Sequence, residues 1–370
     1  MTNSDRVKNL LDTLIWKTRE KEHMWKILGC AVQGNGHIAE NIPCQDKVAS
    51  RTENGTSVIA LADGAGSAKL SHFGAKAVTE YICKKLCADF DFMFTDAGDG
   101  TKANNQLLCE IKETLNSVAK QHDCVIDDLK STLLAVAVRG EDVLAVHLGD
   151  GVIGCIKDDG ISVISSPENG EYANVTVFTT SKEALSSIKL IKGRIKNKKG
   201  FVLMSDGSCA SLYNKKTNRI SEGIRSFIGE GNQDRSKALN EQLIESFKHD
   251  IKSRTSDDCS IAILYQDSES FPGYLSFKPS DRKSFIRSDD FGRLYKDSDS
   301  ILRYISDNKG RSLNKILGWM HKKPARIKMT VNRLENCNLI YGKDGIYMPV
   351  IKMVSSEKEL VDLDDCNENN

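Results

Sequence analysis

The chain has 370 residues, 39% of them hydrophobic and 28% charged. That length suits two or three domains, and that apolar content supports a large core and excludes wholesale disorder. Lysine plus arginine (52) nearly balance aspartate plus glutamate (51), leaving a net charge of +1. This excludes a globally basic nucleic-acid binder but leaves room for a local basic patch.

Residues 5–22 follow a helical period, with Val7, Leu10, Leu11, Leu14 and Ile15 on one face. Charges run through this segment, so it does not read as a secretory signal, and no window approaches the roughly 18 apolar residues of a membrane span. A cytoplasmic protein without membrane association is expected. Eleven cysteines, scattered, with Cys83 and Cys87 the only close pair, fit reduced thiols better than a zinc site or a disulfide framework.

Trp25–Val32 and Ser57–Ala62 read as strands, followed by helices over 71–87 and 104–122. Thr132–Val138, Val143–Leu148, Val152–Ile156 and Ile161–Ile164 are short apolar runs separated by turn residues, the pattern of a β-meander. Asn174–Thr180, Gly200–Met204 and Ser260–Tyr265 add strands, with helices expected over 181–190, 222–229 and 235–249. Strand groups alternating with helices predict an α+β fold of packed sheets flanked by helices.

Four acidic turns stand out: Gln45-Asp46 follows a loop after the first strand, Asp63-Gly64 and Asp206-Gly207 end apolar strands, and Asp257-Asp258 immediately precedes one. Carboxylates gathered at one sheet edge repel one another and lose hydration unless cations join them. Hard oxygen donors select Mg²⁺ or Mn²⁺ over zinc. Asp99-Gly100, Asp159-Gly160 and Asp344-Gly345 read as ordinary turns.

The ordered set QDK (45–47), ADGAGSA (62–68), STLLAVAV (131–138), LGDGVIG (148–154), LMSDG (203–207) and SDDCSIAIL (256–264) resembles the type 2C metal-dependent serine/threonine protein phosphatases. Gly34-Asn35-Gly36-His37 before Cys44-Gln45-Asp46, and the stretch 167–176, are similar to the bacterial branch. The match covers roughly residues 25–265. It implies a four-layer αββα sandwich of two antiparallel sheets, with two metal ions at one edge and scope for a third. It also implies hydrolysis of phosphoserine or phosphothreonine in proteins by a metal-activated water, with a phosphoprotein substrate and a cognate serine/threonine kinase as partners. By resemblance, Asp63 bridges the metals and Gly64 offers its carbonyl to one of them. Asp206 and Asp257 complete the other site, and Asp46 holds the second metal directly or through water. Asp258 stands where the family usually has asparagine, and Gly149-Asp150-Gly151 is expected to support the meander. Asn41 stands where many members carry a phosphate-holding arginine. His37 is the candidate for phosphate binding or proton donation, against a purely local role. The rival reading is a catalytically weak or inactive phosphatase-fold regulator that binds a phosphoprotein or DNA.

Residues 1–268 are taken as the phosphatase domain, 269–298 as a linker and 299–353 as a small separate unit, with 354–370 as an acidic tail. Helices over 300–306, 313–320 and 325–336, then a hairpin turning at 342–345, resemble a winged helix. Residues 301–353 hold eleven Lys/Arg against three Asp/Glu, and 354–370 hold six Asp/Glu against one lysine. On helix 325–336, Arg326, Lys328, Thr330, Asn332 and Arg333 are candidate DNA contacts, with protein docking as the alternative.

Overall fold

The computed structural model describes residues 25–96, 101–157, 160–167, 176–196, 198–228, 233–266, 286, 295–307, 310–336, 339–343 and 345–349. The expected helix over 5–22 and the acidic tail lie outside the described residues, as do nearly all of the linker and most of the 167–176 stretch.

The chain begins with β1 (Trp25–Val32), a short helix α1 (Asn35–Glu40), β2 (Lys47–Glu53) and β3 (Thr56–Ala62). Helices α2 (Ser71–Ala88), α3 (Phe90–Asp96) and α4 (Thr101–Gln121) precede two hairpins. These are β4 (Leu133–Arg139) with β5 (Asp142–Leu148), and β6 (Val152–Lys157) with β7 (Gly160–Ser165). Then come α5 (Ala184–Ser187), β8 (Lys189–Arg194), β9 (Lys198–Met204), α6 (Asp206–Leu212), and the short pair β10 (Tyr213–Asn214) and β11 (Arg219–Ile220). Helix α7 (Gln233–Ser246) and β12 (Cys259–Gln266) complete the larger unit.

Two five-stranded antiparallel sheets result, ordered β1-β12-β9-β6-β7 and β2-β3-β4-β5-β8. Period-two alternation decides which face each residue serves. Ile59, Leu61, Leu134 and Val136 point inward and meet Ile153, Phe201, Leu203 and Leu264 of the other sheet. Their neighbours Val58, Ala60, Leu133 and Ala135 point outward and are covered by Ile82 and Leu86 of α2 and Leu107 and Ile111 of α4. Val202, Ile261 and Ile263 are covered by Leu239 and Leu243 of α7. Strands apolar on both faces belong in this middle position, and the four-layer α+β sandwich expected of the sequence is what forms.

The sequence pattern mispredicts several elements. The expected meander is divided: β4 and β5 lie in one sheet, β6 and β7 in the other. The chain crosses at Gly149, whose φ of +117° suits glycine and whose Cβ position is 2.5 Å from Thr132 Cγ2. Strands β2 and β8 are absent from the sequence reading, and β8 falls partly inside the helix expected over 181–190. Both are edge strands. KVASRTE and KLIKGR carry charges because one edge faces solvent, so the apolar pattern fades. The described part of 174–180 forms no strand, and the 222–229 helix is a 3₁₀ segment, Glu222–Phe227.

The C-terminal residues form α8 (Tyr295–Asp307), β13 (Arg311–Ser312), α9 (Leu313–Met320), α10 (Pro324–Asn336), β14 (Ile340–Lys343) and β15 (Ile346–Pro349). Their three strands are ordered β13-β15-β14. Ile301, Ile305, Ile316, Ile327, Val331 and Leu334 make a core of their own. Buried Asp297 of α8 takes Lys322 and Arg326, tying the start of α10 to the first helix. No helix among the described residues is long and apolar enough to cross a membrane.

Gly149→Ala is expected to destabilise the chain by about 3 kcal/mol, combining a left-handed backbone with overpacking. Urea unfolding checks this, and a loss under about 1 kcal/mol would mean the sheet crossing relaxes freely.

Candidate functional site

The acidic residues converge because their segments leave the sandwich at one edge. Asp63 follows β3, where its amide donates to Thr132 Oγ1 (2.9 Å) and its carbonyl accepts from the Thr132 amide (2.8 Å). Gly64, buried next to it, forms a β-bridge with Ser131. Asp206 opens α6 directly after β9, and its Oδ1 accepts from the Gly207 amide at 2.5 Å. A Cβ on Gly207 would stand 2.1 Å from the Asp258 carbonyl oxygen, so only glycine lets these segments meet. Asp257 precedes β12 and is exposed.

Carboxylate oxygens of Asp63, Asp150 and Asp206 lie within 4.8 Å of one another. Asp150 is the departure from expectation. Its Gly-Asp-Gly turn was to support a meander, yet the crossing between sheets delivers its side chain into the cluster, where Oδ2 accepts from the Thr176 hydroxyl at 2.5 Å. Glycines on both sides, between two apolar strands, were the available signal. The same signal marks an ordinary turn.

Asp46 lies fully buried behind this group. The Ser260 and Ser205 side chains are close to it, but neither carboxylate oxygen has a well-aligned hydrogen-bond partner. Two bare oxygens on a buried carboxylate are costly unless something electropositive joins them. Burial pushes this carboxyl up to about 7. Burial, then the Asp46 and Asp206 charges, holds Asp63 well above the carboxylate range. Burial raises Asp206 too, opposed by its contact with Asp63 and by the Gly207 amide. The donors are oxygens, the set that hard divalent cations prefer, and the residues fit such ions.

Asp258 plays a different part. It is buried, and its carboxylate accepts from the Gly34 and Gln45 amides at 2.6 Å each. It also faces His37 Nδ1 at 2.9 Å, an ion-pair contact not aligned as a hydrogen bond. This carboxylate spends both oxygens holding the α1 loop to β12. Asn41 ends α1 with φ +57°, a left-handed cap that asparagine tolerates.

The cleft over the cluster measures about 390 Å³ and is lined by His37, Asp63, Gly64, Asp150, Asp206 and Asp257, among others. No lysine or arginine stands among its described lining residues. Lys47, beside Asp46 in sequence, donates instead to the carbonyls of Cys44 (2.5 Å) and Asp46 (3.1 Å).

Comparison with known proteins adds a family. The profile described as Protein phosphatase 2C matches residues 33–245. Serine/threonine-protein phosphatase 3 of Escherichia coli (strain K12) is 25% identical over 174 residues, a stretch spanning 45% of this chain and 66% of that relative's length. Among solved structures, Stp1 of Staphylococcus aureus superposes with a TM-score of 0.46 at 16% identity, covering 66% of this chain and 96% of that one. The catalytic domain of PstP, solved with two manganese ions, gives a TM-score of 0.43 at 17% identity, covering 66% and 100%.

A carboxyl raised by burial favours folding at low pH. That benefit disappears as pH climbs from about 4, its unfolded value, through about 7, its folded value. Measured against Asp46→Asn by scanning fluorimetry without metal, the wild type should lose Tm between about pH 4 and about 7. A wild-type Tm parallel to the variant's at every pH would refute the buried-carboxylate account.

Proposed function

The chain belongs to the protein phosphatase 2C family, and from that membership and the acidic cleft we propose that it hydrolyses phosphoserine and phosphothreonine in proteins with Mg²⁺ or Mn²⁺. The observation that carries this reading is the fully buried Asp46 behind the Asp63–Asp150–Asp206 oxygens, which lie within 4.8 Å of one another. Asp46, Asp63, the Gly64 carbonyl, Asp206 and Asp257 would hold the ions, and Asp150 adds a donor that suits a further one. Bound divalent cations supply Lewis acidity, which acidifies water and offsets charge on the phosphoryl oxygens.

The chain's own groups do the rest. His37 lines the cleft, and Asp258 faces its Nδ1, which favours a proton there and leaves Nε2 to exchange one with the leaving oxygen. Without lysine or arginine in the described lining, phosphate binding falls to the ions, His37 and backbone amides. An opposing serine/threonine kinase is the partner this activity requires. All nine described cysteines are free thiols, which favours a cytoplasmic setting.

The residues after the proposed 269–298 linker support a targeting role. Their order of helix, strand, helix, helix, strand, strand, with β15 between β13 and β14, supports the winged-helix reading. Lys328, Asn332 and Arg333 are exposed on α10 and suit DNA phosphates and groove edges. Two other expected contacts do not. Thr330 is fully buried, its hydroxyl donating to the Arg326 carbonyl, and Arg326 is paired with Asp297.

A rival reading is an inactive regulator, favoured by the absence of a cleft cation among the described lining residues. Turnover decides between them. Asp63→Ala and Asp206→Ala should each lower Mn²⁺-dependent phosphopeptide hydrolysis by about 100-fold or more, and EDTA should abolish it. Near-normal turnover in either variant, or none in the wild type, would overturn the enzyme reading. For the targeting module, duplex DNA mobility shifts should weaken with salt, and Lys328→Ala should reduce the salt slope by about 1. Salt-independent binding would exclude phosphate contacts.

A further inference from the structure

Among the described residues, two contacts between the C-terminal unit and the larger unit lie on segments that lead into the cleft. The Arg254 guanidinium carbon lies 3.3 Å from the centre of the Tyr341 ring, on β14. Tyr341 also packs against the core beneath α7. At the second point, Asn214 Nδ2 donates to the carbonyl of Asn336, the last residue of α10, at 3.2 Å.

Chain connectivity gives these contacts their meaning. Arg254 ends a 3₁₀ turn, Lys252–Arg254, and Asp257 follows three residues later. Little separates them: the Asp257 amide donates to Thr255 Oγ1 at 3.1 Å, and the Ser256 carbonyl accepts from the Gly36 amide, next to His37, at 2.9 Å. Asn214 ends β10, which continues α6 without a break, and α6 begins at Asp206. The 3₁₀ turn and α6 also pack on each other. One unit therefore presses on the two segments that present Asp206 and Asp257. Neither Arg254 nor Asn214 lines the cleft itself.

Such a brace has a physical purpose. The aspartates repel one another, and Asp257 is exposed on a short segment before β12. A loop held at its β12 end and by the Gly36 amide, but not at its 3₁₀ end, has room to shift outward and relieve that repulsion. A guanidinium lying this close over a tyrosine ring resists such movement in a way that lysine does not reproduce. We propose that Arg254 and Tyr341 are positioning residues, through which the C-terminal unit holds Asp206 and Asp257 in register for divalent-cation binding. By linkage, cation binding at the cleft in turn steadies the C-terminal unit.

This inference rests on the metal-dependent reading above, and the test separates the two. Mn²⁺ binding to the full chain is measured by isothermal titration calorimetry without substrate, alongside Tm. Tyr341→Ala should weaken Mn²⁺ affinity about tenfold, in the range seen when outer supports of metal ligands are removed. Tyr341→Phe, which keeps the stack, should restore it. Arg254→Lys should resemble the alanine variant with less disturbance of packing, and it decides the matter if Tyr341→Ala does not fold. Lys315→Ala, exposed on α9, should bind Mn²⁺ as the wild type does. Hydrogen exchange at the β14 amides should slow when Mn²⁺ is added. A folded Tyr341→Ala or Arg254→Lys chain with wild-type Mn²⁺ affinity, even if its Tm falls, would overturn the brace. A wild type that takes up no Mn²⁺ would overturn the metal reading and the brace with it.

Discussion

The mutual repulsion of carboxylates gathered at one cleft is the constraint around which this molecule is built. Asp63, Asp150 and Asp206 bring oxygens within 4.8 Å of one another, and Asp46 is buried behind them. No arrangement of this kind forms because its members attract. It is imposed by the sandwich, whose apolar strands are buried on both faces and whose burial energy outweighs local electrostatic loss. Burial first and that repulsion second raise the carboxyls, and oxygens gathered in this way suit divalent cations.

Holding such a group requires rigid walls, and much of the surrounding detail serves that purpose. Asp258 spends both oxygens on backbone amides of the α1 loop and keeps that loop against β12. Gly207 lets α6 approach the Asp258 backbone at a distance that excludes any side chain. Thr132 ties Asp63 to the start of β4 through its hydroxyl and its amide. These are neutral or buried supports beneath a charged cluster, the usual division of labour around a metal site. A second unit with its own core extends the support through Arg254 and Tyr341.

Legibility followed burial. The strands that carry the middle of the sandwich announce themselves as SVIALA, LLAVAV and FVLM, because a strand covered on both faces admits little but apolar residues. Strands β2 and β8, at the edges of one sheet, mix lysine, arginine and glutamate with apolar residues and read as loop or helix. Asp63 and Asp206 were marked by their place at the ends of apolar runs, and Asp257 by its place just before one. Asp46 is marked only as an acidic turn after a loop, and His37 comes from the resemblance to a family. Asp150 was passed over, since its local sequence is that of a turn, and only knowledge that the chain changes sheets there reveals where it points.

The sequence by itself determined the layers, the acidic turns and the basic character of residues 301–353, because each depends on residue type and short-range period. The tertiary structure alone decided which carboxylates meet, that Thr330 is buried and Arg326 paired on α10, and which residues of the two units touch. Those are relations between segments that lie far apart along the chain. They arise from sheet order, from the crossing at Gly149 and from contacts such as Arg254 on Tyr341, none of which leaves a local pattern in the chain.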